Sequence, residues 1–402
     1  MKSTFRATLL VLLATSAFTI PAKAEDLPPV VAALFGNLEK QINVKPTYEK
    51  LETDSSGNIT ISNMAVSYAA MAGGPQINYT VKSISFENIA AEADGIIKVG
   101  KSAMTDLQMN MNVGDGQNVT VELPSATAED WYVPVLTENP TPLQELRANM
   151  SIARKASAGE FKFSTMGHTF TAKGMELTWD GDPVTGAGKS SIALRDLVIP
   201  EAAIAAGDPT GQMKQLGYAD LTLNFAAAGE LAINGETFGM NGNIDISGKD
   251  MGGFKFAFGA SELPISALAE LQAAERDKRE PNMNALMPQL MNVTIGDMRF
   301  RFEDASITRK LLPIFAKMQG MDEAAMVANA SAMLQIGLMQ LKNQAFTDQV
   351  VGAVSAFLKD PKSITIAIKP ASPVKVQQMM TLDPNNPAAA IDLLGVSVTA
   401  ND

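Results

Sequence analysis

The chain has no cysteine and a single histidine, His168. Without thiols there are no disulfides, no cysteine nucleophile and no cysteine-ligated zinc. With one imidazole there is no histidine cluster to gather a metal. Aromatic residues are scarce, at 6%, so broad stacking surfaces for sugars or bases are not offered. No glycine-rich loop ends in Lys-Ser or Lys-Thr, no Rossmann glycine spacing follows a strand, and no serine sits in a nucleophile elbow. After the first residues, no run reads as long and apolar enough for a bilayer span of about 20 residues.

The first 24 residues have the parts of a secretory signal. Lys2 and Arg6 form a basic start, Ala7 to Ile20 an apolar core, and Ala22-Lys23-Ala24 a small-x-small cleavage site. The mature chain is then expected to begin at Glu25, with no membrane span after cleavage. Export combined with the absence of thiols fits a periplasm, where stray cysteines are oxidised. The full chain holds 32 basic and 43 acidic residues. Losing Lys2, Arg6 and Lys23 leaves 29 against 43, a net −14. That balance argues against nucleic acid and against plain electrostatic adhesion to anionic lipid.

What the sequence does have is alternation. From Asn58 to Asn112 apolar residues recur at nearly every second position: Ile59, Ile61, Met64, Val66, Ile77, Tyr79, Val81, Ile84, Phe86, then on to Met109 and Met111. Period two means a sheet with one apolar and one wet face. A second alternating block spans Phe161 to Phe258, with strands such as Leu221-Leu223-Phe225 and Phe254-Phe256-Phe258. A motif recurs inside the strands, in which Asn or Asp is usually followed by an apolar residue. It appears at Asn63-Met64, Asn88-Ile89, Asp106-Leu107, Asp196-Leu197 and Asp304-Ala305. Asn and Asp tolerate left-handed backbone, so the motif predicts bulges that bend long strands.

Helical spacing brackets the strands. Val31, Leu34, Phe35, Leu38 and Ile42 form one stripe, and Thr141-Pro142 opens a second helix carrying Leu143 and Leu146. From Leu263 onward helices dominate. One is opened by Asp322-Glu323 and carries Met326, Ala330, Met333, Leu334, Gly337, Leu338 and Leu341. Another runs through Phe346, Val350, Val354 and Phe357. Single stripes imply that these helices lie on the sheet's apolar face. The expected fold is α+β, with one or more long, twisted, mostly antiparallel sheets carrying bulges, covered by amphipathic helices, and a helix-rich C-terminal part. The expected divisions are 1–24 signal, 25–140 helix plus sheet, 141–262 a second helix plus sheet, and 263–402 helix-rich. The helix-then-strands order occurs twice and suggests a duplication.

Candidate chemistry is thin. His168 lies between strands and reads as a turn or surface residue ahead of a general base or ligand. Asp54 to Asn58 is a turn that lacks the later bidentate glutamate of a calcium loop. The pair Glu92 and Asp94 is expected by chance on so acidic a surface. Arg299-Phe300-Arg301-Phe302 reads as a wet strand face backed by core ahead of a headgroup site. No catalytic, cofactor-binding or metal residues are assigned, and no enzyme activity is expected. Frequent methionine, with 23 in the chain, suits core packing first and an adaptable apolar ligand surface second.

The stretches Ile61-Ser62-Asn63-Met64, Phe86-Glu87-Asn88-Ile89 and Leu194-Arg195-Asp196-Leu197 resemble the periplasmic AsmA-like proteins. The ending Ala390 to Val396 is similar to exported proteins of alphaproteobacteria. The first resemblance implies long sheets curved into an apolar groove and a link to envelope lipid transport or outer-membrane assembly. It carries no functional residues. The chain departs from that group in its cleavable signal and its helical ending. The function this points to is non-enzymatic handling of lipid or another apolar ligand in envelope maintenance, with envelope proteins as further partners. The alternative is a periplasmic structural or interaction scaffold without ligand.

Overall fold

The computed structural model describes residues 27–42, 44–69, 74–113, 117–135, 140–148, 152–208, 211–276 and 279–402. The expected signal and its cleavage site, the turn at Gly114 to Gly116, and Met150 lie outside the described residues. The fold is α+β, with seventeen described strands whose registered pairings are all antiparallel. The chain forms two compact units. One comprises the residues up to Val198 together with Leu268–Pro281, and the other comprises Ile199–Ala267 with Asn282–Asp402.

The first unit starts with helix α1, Pro29–Ile42, with Pro28 and Pro29 at its opening, where a missing N–H costs nothing. Strands β1 (Lys50–Thr53), β2 (Ile59–Ala69), β3 (Gln76–Ala91), β4 (Ile96–Asn112) and β5 (Asn118–Pro134) pair in sequence order. Helix α2, Pro142–Ala148, follows. Thr141 caps it as expected. The Gln144 N–H donates to the Thr141 hydroxyl, and the Gln144 side chain accepts from the Thr141 N–H. β5 then pairs with β6 (Ile152–Ala158) and β7 (Phe161–Thr165). The first strands of the second block therefore continue the first sheet, and α2 is an excursion between neighbouring strands. β8 (His168–Ala172), β9 (Gly174–Gly181) and β10 (Gly188–Ile199) complete this unit's ladders.

The Asx motif has a specific structural meaning. Asn63, Asn88, Asp106 and Asp196 all adopt left-handed backbone, and so does Asp130. The one-residue insertion that defines a bulge is absent at these points. Ser62 faces Ser83 and Met64 faces Val81, so pairing resumes in the same register across Asn63. What changes is the phase of the side chains. Ile59 and Ile61 are followed on the buried face by Met64 and Val66, a step of three. The neighbours step at the same place, from Val81 to Ile84, from Met104 to Leu107, and from Leu123 to Ala126. One transverse crease thus runs from Asn63 through Lys82, Asp106 and Pro124. It continues through the break between β6 and β7 and the break between β8 and β9 to Asp196. Ion pairs line it, Lys82 to Asp106 at 3.4 Å and Lys173 to Asp196 at 2.7 Å. A second crease passes Asn88, Gly100, Asp130 and Arg154. Gly100 is required there, because a Cβ would meet the Asn88 Cβ at 2.8 Å.

True bulges do occur, in the second unit, at Ser261–Glu262 and at Gly296–Asp297, where the registers slip by one. Glu262 is left-handed, as an inserted residue often is. Asp304, the fifth motif position, is not left-handed. It ends its strand and accepts the Thr308 N–H at 2.7 Å, capping the next helix.

The first unit's core lies on the sheet's apolar face. Ile61, Met64, Val81, Val99, Leu107 and Val133 are at most 2% exposed, and Val30, Val31, Leu34 and Phe35 of α1 pack into the same cluster. The creases bend each long strand so that the sheet's apolar face and α1 enclose that cluster.

Candidate functional site

The second unit carries strands β11 (Leu221–Asn234), β12 (Thr237–Gly248), β13 (Gly252–Pro264), β14 (Thr294–Asp304), β15 (Ser363–Ile368), β16 (Val374–Lys375) and β17 (Val396–Ala400). In chain order after α2 come helices α3 (Glu201–Gly207), α4 (Gln212–Gln215), α5 (Ile265–Arg276), α6 (Met283–Leu290) and α7 (Ile307–Met318). Register places Phe225, Ile246, Phe254, Phe302 and Ile364 in one transverse row. The next row is Ala227, Ile244, Phe256, Phe300, Ile366 and Val398. The third is Gly229, Gly242, Phe258, Met298, Ile368 and Val396. Every residue of these rows is apolar or glycine. The opposite face carries Asn224, Asp245, Lys255, Arg299, Arg301, Thr365 and Thr399. Alternation alone produces this split.

The apolar face is only partly covered. Helix α9, Gln344–Lys359, is capped by Asn343, whose side chain accepts the Phe346 N–H at 3.0 Å. It lies against β15 and β17. Its Phe357 is buried and meets Phe302 edge-on at 6.0 Å. Away from that contact, Phe254 is 48% exposed, Ile366 45%, Ile246 42% and Phe300 41%. Phe254 contacts both Phe300 and Phe302, with centroids at 5.8 and 4.9 Å. A phenylalanine side chain offers on the order of 200 Å². Nearly half of that on each of two rings, with the two isoleucines, leaves roughly 300 Å² of clustered apolar surface. That is the size of the largest apolar patch on an ordinary monomer, which is often functional. Covering it contributes about 7 kcal/mol at about 25 cal/mol per Å².

The wet face is a network of paired charges. Lys255 holds Glu303 at 2.7 Å, and Arg301 donates to Glu303 at 2.8 Å and to the Thr365 hydroxyl at 3.0 Å. Arg301 also binds Asp402, whose carboxylate takes the Thr399 hydroxyl at 2.9 Å. The Thr399 hydroxyl and then Arg301 bring the Asp402 carboxyl down to about 2. The network fastens β13, β14, β15 and β17 to one another. Arg299 to Phe302 therefore divides as its alternation implies. Both arginines are on the charged face and both phenylalanines on the apolar one, although Arg301 is largely buried there with Thr365 and Phe300 is open to solvent.

A further helix departs from the sequence reading. Helix α8, Glu323–Leu338, is capped by Asp322, which accepts the Ala325 N–H at 2.7 Å. It packs on α9, with the Ser331 and Ser355 hydroxyls 2.6 Å apart, and buries Val327. Its stripe was expected to lie wholly against the sheet. Instead Met333 is turned outward, and Met333, Ile336 and Met339 are each about two-thirds exposed. Glu323–Leu341 is long and apolar enough to cross a membrane, by length and composition. This revises the expectation that no later segment is. The interspersed Asn329, Ser331 and Gln335 mask the run when only large apolar residues are counted.

The other residues considered are placed simply. His168 forms a hairpin with Thr165 around Met166 and Gly167, both left-handed. Asp54 accepts the N–H groups of Ser56 and Asn58 and the Asn58 side chain, closing its own turn, and the Asn58 bonds lower its carboxyl. Asp94 lies in a short 3-10 turn after Glu92. Among the described residues, no three His, Cys, Asp or Glu side chains stand together to hold a metal.

A family model described as "Uncharacterized protein" matches residues 245–401. That span contains Ile246, Phe254, Phe300 and Ile366 as well as α8 and α9. A search of curated proteins finds no match.

Proposed function

We propose that the protein is exported to the periplasm and handles lipid or another apolar ligand in cell-envelope maintenance, without catalysing a reaction. Its ligand surface is the open face of the second unit's sheet. The observation that carries this reading is the exposure of Phe254, Phe300, Ile246 and Ile366 side by side on an otherwise apolar face. An acyl chain laid across the rows would bury that surface and leave the charged network on the reverse face undisturbed. The resemblance to the AsmA-like proteins adds support, since it implies long sheets curved into an apolar groove and a link to envelope lipid transport.

Native mass spectrometry with lipid extraction, on protein purified from periplasm, tests the proposal. Phospholipid or fatty acid bound at a fixed ratio is the expected result. Phe254→Asp with Phe300→Asp should abolish it while leaving the circular dichroism spectrum intact. A clean protein mass without lipid would overturn the reading and favour a ligand-free scaffold.

A further inference from the structure

We infer that the outward side of α8 is a membrane-docking surface that lies in the headgroup region of a bilayer. Residues 324–341 contain no charged side chain, and their polar groups are limited to Asn329, Ser331, Gln335 and Gln340. Met333 and Ile336 of α8 and Met339 in the turn that follows recur at a spacing of three, each about two-thirds exposed. Such exposure costs free energy in water and is recovered in lipid. At the end of α7, Ile307–Met318, Phe315 and Met318 are also exposed, at 45% and 68%. α7 packs beside α8, so both helices add to the apolar surface.

The run selects lipid over a protein partner. Glu323–Leu341 is long and apolar enough, by length and composition, to cross a membrane, yet almost none of it is buried within the protein. Residues 324–341 hold no charge, whereas protein interfaces are rimmed by polar groups. Lys317 and Lys342 are both exposed, and such stems can lie along apolar ground while the ammonium groups stay in water.

The helix lies on the membrane and does not cross it. Its inner side is committed to α9 through Val327 and the Ser331–Ser355 bond, and its first turn holds Asp322 and Glu323. The net charge is −11 for the full chain and −14 once the expected signal is lost, so attachment rests on apolar area and should be insensitive to salt. Docking also places the sheet's open face near a source of lipid, a consequence that rests on the lipid-handling proposal. The docking itself does not.

Flotation of the full chain with liposomes of equimolar phosphatidylcholine and phosphatidylglycerol tests this. The wild type should float at both low and high salt. Met333→Glu with Ile336→Glu should weaken flotation at least tenfold with unchanged circular dichroism, and Met333→Leu with Ile336→Leu should retain it. A wild type that stays with the soluble fraction would overturn the inference, as would a glutamate variant that floats unchanged. A wild-type dimer in gel filtration that the glutamate pair dissociates, without liposome binding, would make this face a protein interface and likewise overturn it. The glutamate variant should still carry extractable lipid if the sheet face is the ligand surface. Loss of docking and loss of ligand are therefore read separately.

Discussion

The two sheets are written in the same alphabet and end differently. In the first unit, period-two alternation yields a face on which Val99 and Val133 are wholly buried, and α1 is folded into it. In the second, the same alternation with larger side chains leaves Phe254 and Phe300 nearly half in water. The difference lies in what bends the strands. The first sheet is creased across many strands by left-handed Asn and Asp, and its apolar face is buried in one cluster with α1. The second has two local bulges and is covered by α9 at one end. A one-sided sheet is thus a core or a binding surface according to its curvature and covering, not its composition.

Four changes can break or sharpen that contrast. Leu107→Ala should cost about 2–5 kcal/mol of stability in urea denaturation, whereas Phe300→Ala should cost under about 1 kcal/mol. Equal losses would mean that the second face is closed too. Next, Gly100→Ala forces a Cβ against Asn88 and should cost about 1–3 kcal/mol, while Gly36→Ala in α1, where a Cβ meets nothing, should not destabilise.

Third, Asp106→Ala should lose about 1–2 kcal/mol because alanine resists left-handed backbone, and Asp106→Gly should recover most of it. If glycine fails to rescue, the crease depends on the Lys82 pair and not on the backbone.

The smallest effect concerns the wet network. Folding lowers the Asp402 carboxyl from its ordinary 3.8 to about 2. The stabilisation is therefore present above about pH 4 and is lost as pH falls from there through 2. Because the side chain is 43% exposed, solvent screens it and the gain is modest. Asp402→Asn should flatten the acid limb of the stability curve and leave neutral pH nearly unchanged.

Much of this was legible in the sequence. Alternation marked the strands, Thr141-Pro142 and Asp322-Glu323 marked helix starts, and the Asx motif marked the left-handed positions. The crease itself was hidden because its signal is the interval before the motif's aliphatic residue, three where the strand otherwise keeps two, recurring on adjacent strands. Asp130 could have been found the same way, from Ala128 to Trp131. The open face was not legible, since Phe254 and Phe256 look alike in sequence and only one is exposed. The outward side of α8 was missed because stripes were counted on one face, and its apolar residues occupy both.

The crease also carries a consequence for how such a chain can change over time. Each strand that crosses it switches which side chains face inward, so the positions beyond it make sense only if every neighbour switches at the same line. A lineage could lengthen the strands at either end with little penalty. It could not shift the fold line by one residue in a single strand without misplacing that strand's whole remainder. The line is therefore inherited as a block.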